Sequence, residues 1–115
     1  MIARDSSNLV SQMRRGAIEY CVLALLRDRE MYGFELTRAL STAGGLVASE
    51  GTVYPLLARI RQDGLVETFW EPSPQGPARR YYRLTNDGRV ALQNFRTQWR
   101  QFRDTVDAIM KGSDE

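Results

Sequence analysis

Arginine is the side chain in this sequence whose type and placement carry the most chemistry. Fifteen of the sixteen basic residues are arginine, and its planar fork fits phosphate and the edge of guanine better than a lysine ammonium does. The net charge is only +2, yet nine arginines stand against four acids between Thr52 and Arg103. A coding bias towards arginine explains the ratio as readily as a function does, so position has to decide. Arg79 and Arg80 follow a Gly76-Pro77 turn signal, and Arg83 lies on the segment that returns from it. A pair of arginines on an exposed hairpin can hold backbone phosphates or enter a minor groove.

Catalytic and metal chemistry have little to work with. The chain has no histidine and one cysteine, Cys21, which removes the commonest general base and the commonest metal ligand. Serine-histidine and cysteine-histidine catalysis are excluded. The fourteen acids are scattered along the chain, so carboxylate-only catalysis has no evident pair. No enzyme activity, cofactor or metal is expected. Cys21 falls within an apolar helical set and reads as a small core side chain rather than a reactive thiol.

These residues must be positioned by a small fold, because 115 residues make one domain with a modest core. Ile18, Cys21, Val22, Leu25 and Leu26 recur at helical spacing, with Leu23 and Ala24 widening the stripe. A second helix follows Gly33 with Phe34, Leu36, Ala39 and Leu40, and Gly44-Gly45 ends it. A third occupies roughly Glu50 to Asp63 with Gly64 as its stop, and Val53, Leu56, Leu57 and Ile60 form its apolar stripe. Its start is open between Ser49 and Thr52 as N-cap. Thr52 would put Pro55 in the first turn, where a missing N–H costs nothing, and Ser49 would put it deeper. The period then changes from 3.6 to 2. Leu65–Trp70 and Tyr81–Leu84 read as strands, with a long turn-forming tip from Glu71 to Ala78. Thr85 is the expected N-cap of a last helix that runs to about Met110.

The order helix, helix, helix, hairpin, helix predicts a mainly α (α+β) fold. It is a winged helix-turn-helix with a two-stranded β-hairpin wing and a long C-terminal dimerisation helix. The expected divisions are 1–14 (a helix or arm packing on a dimer partner), 15–85 (the DNA-binding domain), 86–110 (the dimerisation helix) and 111–115 (a disordered tail). With its stripe facing the core, the third helix turns Gly51, Pro55, Ala58 and Gln62 outward, flanked by Thr52, Tyr54 and Arg59. Small residues let a helix approach the floor of a major groove, and the flanks carry donors for bases and phosphates. Ordinary solvated faces favour Glu and Lys, which are absent between Gly51 and Gln62. The expected DNA-binding residues are therefore Thr52, Tyr54, Arg59, Arg79 and Arg80.

Several stretches also carry a resemblance. They are Met31-Tyr32-Gly33-Phe34-Glu35-Leu36, Ser49-Glu50-Gly51-Thr52-Val53-Tyr54-Pro55-Leu56-Leu57, Asp63-Gly64-Leu65-Val66, and Gly76-Pro77-Ala78-Arg79-Arg80-Tyr81-Tyr82-Arg83-Leu84-Thr85 with Gly88. At this order and spacing, the chain resembles the PadR-like family of bacterial transcriptional regulators, in its short subfamily with a single C-terminal helix. The likeness runs from about Arg15 to Met110. It departs from the family pattern at Tyr32-Gly33-Phe34, usually His-Gly-Tyr, and at Glu50, often Pro. The resemblance implies that Thr52, Tyr54, Arg79 and Arg80 fall where family members meet DNA.

The last helix has a different pattern. Leu92, Phe95, Trp99, Phe102, Val106 and Ile109 are spaced 3, 4, 3, 4 and 3, a narrow seam typical of helix pairing rather than of docking on a single core. These residues are the expected homodimer interface, together with Leu9, Val10 and Met13 at helical spacing near the N-terminus. The resemblance implies that the N-terminal helix packs on the partner's last helix. Trp99 at mid-seam, extended by Phe95 and Phe102 and joined by Met13, is a candidate site for a planar aromatic small molecule between subunits. A dry dimer core is the alternative. In some short PadR-like regulators a tryptophan at the matching point lines a drug-binding cavity. Arg96, Arg100 and Arg103 nearby would favour an anionic aromatic. The expected function is that of a dimeric repressor on double-stranded DNA with an inverted-repeat operator, released by such an effector. The alternatives are a protein-binding winged helix, which would not need the basic wing, and a metal-responsive regulator, which would need carboxylate ligands or a site between subunits. No apolar run reaches membrane-spanning length and no secretory signal pattern opens the chain, so no membrane partner and a cytoplasmic location are expected.

Overall fold

A computed structural model describes residues 16–43 and 49–112. The expectations for Leu9, Val10, Met13 and Gly44-Gly45 lie outside the described residues. The element order is α1 (Ile18–Leu25), β1 (Met31–Tyr32), α2 (Gly33–Thr42), α3 (Glu50–Gln62), β2 (Val66–Ser73), β3 (Gly76–Leu84) and α4 (Asn86–Lys111). One core joins the three short helices to the sheet. Val22, Leu23, Leu36, Leu40, Val53, Leu57 and Ile60 are buried in it with Val66, Tyr82 and Leu84. Within the α1 stripe, Ile18, Val22, Leu23 and Leu26 are buried, whereas Cys21 and Leu25 are only half-buried. Burial still pushes the Cys21 thiol above its usual value, which disfavours the reactive thiolate.

The hairpin is present but its tip is short. β2 and β3 run antiparallel from Val66↔Leu84 to Glu71↔Arg79, then shift register to close at Ser73↔Gly76. Pro74 and Gln75 are the only residues between the strands, where an eight-residue tip was expected. Pro72 is tolerated because β2 is an edge of the sheet, whose strand order is β1-β3-β2. The third strand, β1, is an addition to the expected two. Met31 pairs with Tyr82 and Tyr32 with Tyr81, so the residues just before α2 are sewn onto the base of the wing. No two-residue strand is readable from period, which is why the sequence pattern passes over it.

Helix ends account for how the elements meet. Ser49, not Thr52, is the N-cap of α3, and its carbonyl accepts from the Thr52 and Val53 N–H groups at 3.0 and 2.9 Å. Pro55 therefore sits inside the helix and leaves the Gly51 carbonyl without its helical donor. Gly51 and Pro55 are exposed, so water can serve that carbonyl. Gly64 ends α3 with φ of 78°, a left-handed turn that glycine makes at least cost. Thr85 then locks α4 to this turn. Its hydroxyl donates to the Gly64 carbonyl at 2.7 Å and accepts from the Gly88 N–H at 3.0 Å, and its N–H donates to the Leu65 carbonyl at 3.1 Å. A Cβ on residue 88 would overlap the Leu65 carbonyl oxygen, so glycine is required for this close approach.

α4 runs on well past the core. Of its 26 residues only Gly88 and Leu92 are buried. The molecule measures 57 × 31 × 22 Å with a radius of gyration of 16.7 Å, against about 13 Å for a compact domain of this length.

Candidate nucleic-acid interface

The exposed face of α3 consists of Gly51, Tyr54, Pro55, Ala58, Arg59, Arg61 and Gln62, with Thr52 half-exposed. It is the small-residue face expected from the stripe, and no acid lies on it after Glu50. Two of its residues have partners within the chain. The Tyr54 ring lies over Gly33, where an added Cβ would come 2.7 Å from Cε1. Burial of the phenol, then the charge of Glu50 and the neighbouring Tyr82, raises its pKa against a hydrogen bond with Thr37. Tyr54 thus ties α3 to α2 while its ring stays 42% exposed. Arg59 reaches back to α1, with Nη2 3.2 Å from Glu19 Oε1. An exposed pair of this kind contributes about 0–1 kcal/mol, little enough for a phosphate to compete for the guanidinium.

The wing separates its arginines by face. On β3, Arg80, Tyr82 and Leu84 point to the side of the core, paired across with Trp70, Thr68 and Val66. Arg79, Tyr81 and Arg83 point to the other side, opposite Glu71, Phe69 and Glu67. Arg79 and Arg80, adjacent in the sequence, therefore point to opposite faces of the wing, because neighbours on a strand alternate.

The outer face makes its contacts within the chain through rings and one bridged arginine. Tyr32, Tyr81 and Phe69 form an aromatic row across the three strands, with centroids 5.4 and 5.6 Å apart. Arg79 lies 4.5 Å from the Tyr32 ring centre and Arg83 4.7 Å from that of Phe69. Arg83 also bridges Glu67 at 3.0 Å and Glu30 at 3.1 Å, which holds its guanidinium charged. On the core side Arg80 lies 5.5 Å from the Trp70 ring centre. Trp70, 64% exposed, was read from the sequence only as a strand aromatic. Its cross-strand register with an arginine is the signal that would have found it.

The seam of α4 forms a ladder of rings. Phe95 stacks on Tyr20 at 4.1 Å and on Trp99 at 5.8 Å, and Trp99 lies 6.0 Å from Phe102. Tyr20 of α1 was not anticipated, since only the fold brings it to Phe95. Beyond Phe95 the seam is exposed, with Trp99 at 41%, Phe102 at 61% and Ile109 at 71%.

The profile of the transcriptional regulator PadR-like family matches residues 22–94, which takes in the core helices, the wing and the root of α4. The chain belongs to this family. It is similar to a PadR-like transcriptional regulator of Bacillus cereus, 36% identical, with a TM-score of 0.80 over 89% of this chain and 99% of that one. A PadR-like transcription factor from Bacteroides fragilis is 40% identical with a TM-score of 0.72, covering 89% of this chain and 98% of its own. A transcriptional regulator of Mycobacterium tuberculosis is 41% identical over 81 residues, 70% of this chain and 74% of its length. All three carry the name of transcriptional regulators or transcription factors, and the two solved structures share the mainly helical, winged architecture. Among the described residues no helix is long and apolar enough to cross a membrane.

Proposed function

We propose that this PadR-family regulator is a dimeric repressor that binds an inverted-repeat operator through α3 and the wing. The observation that carries the reading is the exposed α3 face, small at Gly51, Pro55 and Ala58 and flanked by Thr52, Tyr54 and Arg59. It has the form that enters a major groove, and the arginine-bearing wing stands beside it. Thr52 and Tyr54 contact bases, whereas Arg59, Arg79 and Arg80 hold phosphates or the adjacent minor groove. Two copies associate along Leu92, Phe95, Trp99, Phe102, Val106 and Ile109, the seam of α4 that leaves the core after Phe95 and is exposed from Trp99 onward, with Leu9, Val10 and Met13 completing the contact. This spaces two α3 helices about one DNA turn, ~34–36 Å, or a multiple of it, apart.

The ring ladder of Tyr20, Phe95, Trp99 and Phe102 favours one further element of this reading. A planar aromatic molecule, anionic given Arg96, Arg100 and Arg103, stacks at Trp99 between the subunits and releases the operator.

The test is selection of duplexes from a random pool, followed by anisotropy titration in rising salt. The expected result is a two-fold symmetric site bound at least about a thousandfold tighter than random DNA. Thr52→Ala and Tyr54→Ala should weaken the selected site more than random duplex. A chain that selects nothing, or binds all duplexes alike, overturns the reading.

A further inference from the structure

The two faces of the wing are not equivalent, and the difference singles out one pair of side chains. On the outer face Arg83 is held by Glu30 and Glu67 and Arg79 by the Tyr32 ring. On the core side Trp70 and Arg80 stand directly opposite one another, beyond the point where the core ends at Tyr82. Among the described residues the buried Arg80 Nε–H has no hydrogen-bond partner, and the indole beneath the guanidinium is 64% exposed. An exposed indole is a costly surface to leave in water, and it serves here as a platform that fixes the direction of an arginine. Tyr82 lies two residues from Arg80 on the same face and is buried in the core that α3 shares through Val53, Leu57 and Ile60. Two strand residues span ~6.7 Å, about half the ~12 Å width of a major groove. With α3 in that groove, as proposed above, a side chain this far towards the wing tip would be within reach of the phosphate strand and of the neighbouring minor groove.

We infer that Trp70 is a DNA-positioning residue. It packs its ring on the backbone sugar and holds the Arg80 guanidinium in the minor groove that flanks the α3 contact. A·T-rich flanks are preferred there, because their narrow minor groove concentrates negative potential on an inserted arginine. This rests on the DNA-binding reading above and adds the residue, the groove and the sequence preference.

The experiment takes the duplex selected by the wild-type chain and changes only the flanking base pairs from A·T to G·C. Wild type should lose about tenfold in affinity on G·C flanks. Trp70→Ala and Arg80→Ala should each cut that ratio to about twofold or less, and the double variant should be no worse than the single ones. Trp70→Phe, which keeps a ring under the guanidinium, should restore most of the ratio, and Arg79→Ala should keep it. Circular dichroism melts should show the variants folded, since Trp70 lies outside the core. A Trp70→Ala chain with wild-type flank preference overturns the inference, as does a loss that is equal on both flanks. A wild-type chain that selects a duplex without flank preference overturns it alone, whereas one that selects no duplex overturns the DNA-binding reading with it.

Discussion

The apolar stripes of α3 and α4 are written in nearly the same spacing and have opposite fates. Val53, Leu56, Leu57 and Ile60 of α3 are all buried against α2 and the sheet. In α4 only Leu92 is buried and Phe95 half-buried, after which Trp99, Phe102, Val106 and Ile109 emerge exposed. Period reports which face of a helix is apolar. What covers that face depends on where the helix is aimed, and α4 is aimed off the body by the Thr85 lock and the Gly88 contact. The α3 stripe is thus part of a finished core, whereas we propose that the α4 stripe is half of one, completed by a second copy.

Substitutions in the two stripes should separate these roles. The largest effect is expected in α3. Leu57→Ala should cost about 2–5 kcal/mol of stability through lost burial and a residual cavity, read by urea or thermal unfolding. A loss below about 1 kcal/mol would mean that the core is not built as described. In α4, Phe102→Asp should leave a folded chain, because the ring is already exposed within the monomer. The dimer dissociation constant should rise at least about thirtyfold, the scale of one interface anchor. Sedimentation in which variant and wild type share one oligomeric state would end the contrast between the stripes.

The smallest effect concerns Tyr54, at the margin between the α3 stripe and its exposed face. Its phenol is raised above the usual value, chiefly by burial. The folded state therefore favours the neutral form. That contribution is complete below about pH 10, the ordinary tyrosine value, and is lost as pH rises through the higher folded value. Solvent screening of the half-exposed ring keeps it small. Urea unfolding between pH 9 and 11 should show wild type losing slightly more stability than Tyr54→Phe. Equal slopes would remove Tyr54 from its contact with α2 and leave it only a place on the exposed face.

Much of this arrangement is legible residue by residue. The α1, α3 and α4 stripes, the stop at Gly64, the N-cap at Thr85 and the change to period 2 after Leu65 are short-range signals, and each appears where the pattern puts it. What the pattern left open or misread shares one physical origin. The start of α3 stayed open between Ser49 and Thr52 because local capping carries no account of the exposure that lets water serve the Gly51 carbonyl, and the structure places it at Ser49. The proline-rich stretch from Pro72 to Pro77 reads as loop by composition, yet an edge strand accommodates Pro72 and the hairpin closes at Pro74-Gln75.

The amino-acid sequence by itself determined the element order, the buried stripes, the small outward face of α3 and the arginine content of the wing. All of these follow from side-chain type at 3.6- or 2-residue spacing, which neighbouring residues alone enforce. Tertiary structure decided the rest. Strand register sends Arg79 and Arg80 to opposite faces and sets Trp70 across from Arg80. The α1–α4 approach brings Tyr20 onto Phe95, the α3–α2 approach seats Tyr54 on Gly33, and β1 joins the sheet through Tyr81 and Tyr82. Each of these joins residues distant in the chain, and such contacts are fixed by register and close approach between whole elements, which no local period encodes.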